Sequence, residues 1–109
     1  MRKENSSNAI NEKALQEYCN AFKTLSLFSG RWKLSILFQV LKSQTSYTEF
    51  KILLPEISDR TLSKQLNELI HDGLILKNKN KTSSIYTITD KGRKLEKVLT
   101  ALSSFQDKS

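Results

Sequence analysis

Pro55, the only proline of the chain, divides two stretches of helical apolar spacing and so forces a turn between two helices. The residue before a proline avoids helical backbone angles, so a helix entering this region must stop at Leu54. That first helix opens on a capping box: Ser46 is followed three residues later by Glu49. The hydroxyl can accept the Glu49 N–H while the carboxylate reaches back to the Ser46 N–H. Phe50, Leu53 and Leu54 give this helix an apolar side. Ile57 and Ser58 then restart the chain, with Ser58 as N-cap and Asp59 in the dipole-favoured first turn. Leu62, Leu66, Leu69 and Ile70 recur at the spacing of one buried helix face. Gly73 supplies a left-handed stop. The spacing predicts a short helix, a tight turn and a longer second helix over residues 46–73.

The other face of that second helix, residues 59–72, carries Arg60, Thr61, Ser63, Lys64, Gln65 and Asn67, with Ser58 at its start. These side-chain types hydrogen-bond base edges and phosphates in a major groove. A capped helix, a short turn and a donor-rich second helix describe a helix-turn-helix. A polar outer face is also what any solvated helix carries, so the pattern needs support from elsewhere in the chain. Charge gives some: 18 Lys and Arg against 11 Asp and Glu leave +7. Such an excess suits a polyanionic partner, and equally a membrane surface or general solubility.

Length allows one domain. Residues 11–105 are expected to form it, with a polar, disordered tail at 1–10 and a C-terminal tail at 106–109. A helix from Asn11 to about Phe28 places Ala14, Leu15, Tyr18, Phe22 and Leu25 along one side, and Ser29-Gly30 interrupts it. Its apolar stripe either packs on the domain or meets a partner chain. A second helix, Trp32 to Lys42, carries Trp32, Ile36, Leu37, Val40 and Leu41, the strongest core signature of the sequence. Lys42 to Thr45 reads as a loop.

Beyond Gly73 the period changes to that of strands. Leu74-Ile75-Leu76 and Ser84 to Ile88 flank a polar turn, Lys77 to Ser83, and so make a hairpin. A hairpin directly after a helix-turn-helix makes a winged helix: a mainly α fold with a small β-hairpin. Lys77, Lys79 and Lys81 alternate, and project from one face for as long as the strand persists. At such a tip they would meet phosphates beside the groove; the bland reading is a solubilising loop. Thr89 caps a last helix, Asp90 to about Phe105, with Leu95, Val98, Leu99, Leu102 and Phe105 on one stripe. Together with Leu15, Tyr18 and Phe22 this stripe is expected to form a dimer interface, although both stripes could be satisfied within one chain.

From Cys19 to Phe105 the order of segments resembles the HxlR-type bacterial transcription regulators, relatives of the MarR winged helices. The matching segments begin with Gly30-Arg31-Trp32-Lys33 leading into Ile36-Leu37, followed by Tyr47 to Lys51. Ile57 to Leu66, Leu69 to Ile75 and Tyr86 to Gly92 complete the set. The resemblance implies a homodimer binding inverted-repeat operator DNA, with the first and last helices pairing. For such a regulator, Arg60, Thr61, Lys64 and Gln65 are expected to face bases or their immediate phosphates, with Ser46, Tyr47, Thr48 and the wing lysines on the backbone. Many family members carry a cysteine where this chain has Cys19, and in some it senses oxidants or electrophiles. Asn20 follows here where the family has proline, and the wing lacks the family's customary proline. Lys23, four residues on, offers Cys19 a nearby positive charge; the alternative is a half-buried cysteine acting as a small hydrophobe. A small-molecule or redox effector is compatible with this pattern, and no cofactor is implied.

Enzyme chemistry has no site to stand on. The single histidine, His71, lies at the end of the second helix, where it favours the dipole's negative end. No HExxH, P-loop, GxSxG or Gly-rich nucleotide motif occurs. One cysteine excludes an internal disulfide framework and a cysteine zinc cluster. No apolar run approaches the roughly 20 residues of a membrane span, and the polar N-terminus lacks the apolar region of a signal peptide. A cytoplasmic protein is the default. Trp32, opening an apolar helix, reads as a core anchor rather than a ligand-stacking ring. The competing function is a winged helix that docks a protein; RNA is disfavoured because A-form major grooves do not admit a helix.

Overall fold

A computed structural model describes residues 3–107, with side chains for 11–106. In chain order it contains α1 (Lys3–Phe28), α2 (Arg31–Lys42), β1 (Thr45–Ser46), α3 (Tyr47–Leu53) and α4 (Asp59–His71). These are followed by β2 (Ile75–Lys79), β3 (Ser84–Ile88), α5 (Asp90–Arg93) and α6 (Glu96–Asp107). The strands form one antiparallel sheet in the order β1-β3-β2.

The core lies where α2, α3 and α4 meet the sheet. Ile36, Leu37 and Val40 of α2 and Leu62, Leu66 and Leu69 of α4 are buried against Phe50, Ile75 and Tyr86. The Phe50 and Tyr86 rings sit 6.0 Å apart and tilted by 60°, within the favourable range for aromatic pairs. Trp32 packs against the edge of this core, with the Arg31 guanidinium 4.5 Å above its ring.

Local chemistry sets the ends of the central helices. Ser46 Oγ accepts the Glu49 N–H at 3.1 Å and Glu49 Oε1 accepts the Ser46 N–H at 2.8 Å, the complete capping box. After Pro55 the chain is closed by the Ile57 N–H donating to the Leu54 carbonyl at 3.0 Å. Ser58 caps α4, its Oγ accepting the Thr61 N–H at 3.0 Å. At the far end Gly73 takes φ +78. The Leu74 N–H reaches the Leu69 carbonyl and the Gly73 N–H reaches that of Ile70, the two bonds of a Schellman stop.

Five expectations need correction. Thr45 is no loop residue: with Ser46 it pairs to Tyr86 and Ile85, and its buried hydroxyl donates to the Ser43 carbonyl at 3.0 Å. The wing is longer in strand and shorter in turn than expected, since pairing with β3 carries β2 on to Lys79. Asn80 closes the remaining turn, its Oδ1 accepting the N–H groups of Thr82 and Ser83. The last helix is two: α5 stops at Arg93, and the Leu95 N–H turns back to the Gly92 carbonyl before α6 begins. Helical backbone also starts at Lys3, eight residues ahead of Asn11, in a stretch without glycine or proline; Met1 and Arg2 lie outside the described residues. Likewise α6 runs to Asp107, two residues into the expected C-terminal tail; Lys108 and Ser109 lie outside the described residues.

α1 projects from the rest. The radius of gyration is 18.2 Å, where a compact chain of this length would have about 13 Å. Phe28 is its buried anchor, while Leu15, Tyr18, Phe22 and Leu25 are exposed. Of the last helix's stripe, Leu95 (6% exposed) and Leu99 (1%) belong to this chain's own core and face no partner. Val98, Leu102 and Phe105 remain open.

Gly92 joins the wing to α4. Its N–H donates to Thr89 Oγ1 at 2.9 Å, and that hydroxyl donates to the Gly73 carbonyl at 2.6 Å. A Cβ at Gly92 would collide with the Leu74 carbonyl oxygen and lie 2.7 Å from Ile88 Cδ1. Gly92→Ala is therefore expected to cost about 2–3 kcal/mol in urea unfolding. A midpoint equal to wild type would show that this contact is relaxed at no cost.

Candidate nucleic-acid interface

With one face of α4 locked into the core, its opposite face is set. Arg60, Ser63, Lys64 and Asn67 are exposed in a continuous row at helical spacing. Thr61 and Gln65 flank it half-buried. Ser58 and Thr61 also serve the cap, their hydroxyls 3.0 Å apart. Thr48 is exposed on α3, whereas Ser46 is half-buried in its capping box.

Tyr47 is half-buried and spans the turn. Its hydroxyl donates to Asp59 Oδ1 at 3.0 Å, with Ser63 Oγ 3.4 Å away. Lys51 approaches the same carboxylate oxygen at 3.2 Å and donates to the Ile57 carbonyl at 2.7 Å. Tyr47 and Lys51 of α3 thus hold the first residue of α4 and close the turn around Pro55. Sequence reasoning gave Asp59 only a dipole role and passed over Lys51. The turn, not a helical repeat, brings these residues together, so spacing carried no signal.

Two further ion pairs run from the first turn of α2 to α4 and the turn before it. Arg31 Nη2 lies 3.2 Å from Glu56 Oε1, both side chains exposed. Lys33 Nζ lies 2.8 Å from Glu68 Oε1. Neither pair was anticipated.

On the wing, Lys77 and Lys79 alternate along β2 and share a face. Lys81 lies beyond the strand in the turn, so alternation no longer fixes its direction. All three are exposed, as is Cys19 on α1, which is not the half-buried hydrophobe of the alternative reading. His71 is exposed at the end of α4. Among the described residues no group of three or more His, Cys, Asp or Glu could hold a metal ion, and no helix is long and apolar enough to cross a membrane.

A helix held by its apolar face and offering a polar, basic one, followed by a basic hairpin, defines a winged helix-turn-helix. The chain belongs to the HxlR-like helix-turn-helix family, whose model matches residues 27–109. It is 33% identical to the HTH-type transcriptional regulator YdeP of Bacillus subtilis over 84% of this chain and 74% of that protein. YvaP of the same organism, also an HTH-type transcriptional regulator, is 32% identical, with coverage of 82% and 86%. Among solved structures, the redox regulator HypR in its reduced form superposes with a TM-score of 0.77 at 25% identity, covering 82% of this chain and 91% of that one. The relatives are transcriptional regulators, not enzymes.

The Tyr47–Asp59–Lys51 cluster makes a pH-dependent prediction. The Tyr47 hydroxyl first, then the hydrogen bond and charge of Lys51, hold the Asp59 carboxyl below its ordinary value of 3.8. A depressed folded value means stability that is full above the unfolded value and is lost as pH falls through the folded one. Asp59→Asn should lower the melting temperature by a constant amount at neutral and mildly acidic pH. That gap should close below pH 3.8. Thermal melts at stepped pH check it; a gap unchanged at the acid end would show that the carboxylate's charge contributes nothing.

Proposed function

We propose that the protein is a homodimeric, sequence-specific DNA-binding regulator of transcription that recognises an inverted-repeat operator. α4 enters the major groove, and the β2–β3 hairpin is the wing on the adjacent backbone. The observation that carries this reading is the exposed row Arg60, Ser63, Lys64 and Asn67 on a helix whose other face is fixed. Arg60, Thr61, Lys64 and Gln65 face bases or their immediate phosphates. Ser58, Ser63 and Asn67 border them, while Ser46, Thr48, Lys77, Lys79 and Lys81 meet the backbone. Tyr47 acts by holding Asp59. A protein-docking face would be apolar at its centre, and this one is polar and basic.

Dimerisation is supported by apolar side chains that the chain itself leaves open: Leu15, Tyr18 and Phe22 on α1, and Val98, Leu102 and Phe105 on α6. Two α4 helices related by a two-fold would then lie roughly 34 Å apart along the duplex. The exposed thiol of Cys19 lies on the same helix as the α1 part of this face. It is the group through which an oxidant or electrophile would act, a reading supported by the likeness to a redox regulator.

The test is duplex binding over a salt series, comparing the native promoter region with random DNA. Arg60→Ala and Lys64→Ala should each cost about 1–3 kcal/mol and relax selectivity. Lys79→Ala should weaken all sequences alike and reduce the slope of log affinity against log salt by about 0.9. Weak binding, equal on all DNA and untouched by the α4 variants, would sink the proposal. Phe22→Glu should shift the protein to monomer in sedimentation velocity; an unchanged sedimentation coefficient would place the dimer contact elsewhere.

A further inference from the structure

Glu68 lies one helical turn beyond Lys64 on α4, the spacing at which a carboxylate and an ammonium on one helix face pair. They do not pair. The ion pair of Glu68 is with Lys33 of α2, at 2.8 Å, and Lys64 makes no ion pair or hydrogen bond. Lys33 is well placed to hold this carboxylate, because its side chain is only 13% exposed and so has little freedom to swing away. The carboxyl of Glu68 is held below its ordinary value by the Lys33 hydrogen bond, then by the Lys33 charge, with a weaker pull from Lys64. It is therefore a full negative charge at neutral pH, and it lines one open groove with Lys33, Lys64, Asn67, His71 and Asp72.

We propose that Lys33 is a positioning residue for DNA binding: by fixing the Glu68 carboxylate against α2, it leaves Lys64 unpaired and free to reach the nucleic acid. The proposal rests on the reading of α4 as the groove helix. Without Lys33 the cation that still acts on Glu68 is Lys64, one turn back on the same helix. Binding DNA would then first require breaking that pair. Lys33 itself need not touch the duplex.

The experiment is a mutant cycle in duplex binding across a salt series, with thermal melts confirming that each variant is folded. Lys33→Met should weaken binding about threefold, the size of effect expected from one exposed ion pair in competition. Adding Glu68→Gln should restore it. In a Lys64→Ala background Lys33→Met should change nothing, since there is no longer an ammonium to capture. An equal loss in both backgrounds would mean a general effect of one charge and would overturn the proposal. Glu68→Gln alone provides a second arm that does not depend on Lys33→Met folding. Its affinity should match wild type, because Glu68 is already held away. A several-fold, Lys64-dependent tightening would show that Glu68 competes for Lys64 even with Lys33 present, and would also overturn it. If Lys64→Ala itself leaves affinity and selectivity unchanged, the groove reading fails first, and the failure is visible as such.

Discussion

The burial of Leu62, Leu66 and Leu69 governs the rest of the structure. A helix has one rotational degree of freedom about its axis, and three buried leucines on a single stripe remove it. Once they dock on α2 and the sheet, Arg60, Ser63, Lys64 and Asn67 have no direction left but outward. Surface chemistry is thus determined by residues that never meet solvent.

The polar clusters then refine what the core sets. Asp59, gripped from α3 by Tyr47 and Lys51, fixes the start of α4 against the turn. The Schellman bonds and the Thr89 hydroxyl fix its end against the wing. Between these clamps the helix cannot slide along its axis, so the row of outward side chains is fixed in translation as well as rotation. Most of these bonds are exposed, where a single pair contributes little. Their value is geometric: each selects one register.

The legible parts of the chain were those decided within about four residues. The capping box at Ser46 and Glu49, the N-cap at Ser58, the glycine stop and the leucine stripe all follow from neighbours along the sequence. Contacts made through turns were not legible. Lys51 meets Asp59, and Lys33 meets Glu68, at separations no helical period marks. The two-residue strand at Thr45 exists only because β3 lies beside it. The apolar pattern from Leu95 to Phe105 has the spacing of one stripe, yet the tightened turn at Leu95 divides it. Leu95 and Leu99 fill the core, and Phe105 stands 76% exposed. Periodicity identifies an apolar face; it does not say whose core it fills. The Tyr47 hydroxyl reaches Asp59 across the turn, a contact that neither spacing nor resemblance marks.

Gly30, at φ +100 and with nothing within 4 Å of where a Cβ would stand, is the link between α1 and α2. Twenty-six residues of α1 extend about 39 Å from it. A rotation of about 5° at this joint would sweep the far end of α1 through about 3 Å by the same geometry, while Phe28, beside the joint, would barely move. The chain is in that sense a lever on a pivot. Displacement is amplified along its long arm, while the short arm, α2, is tied by Arg31 and Lys33 to the turn before α4 and to α4 itself.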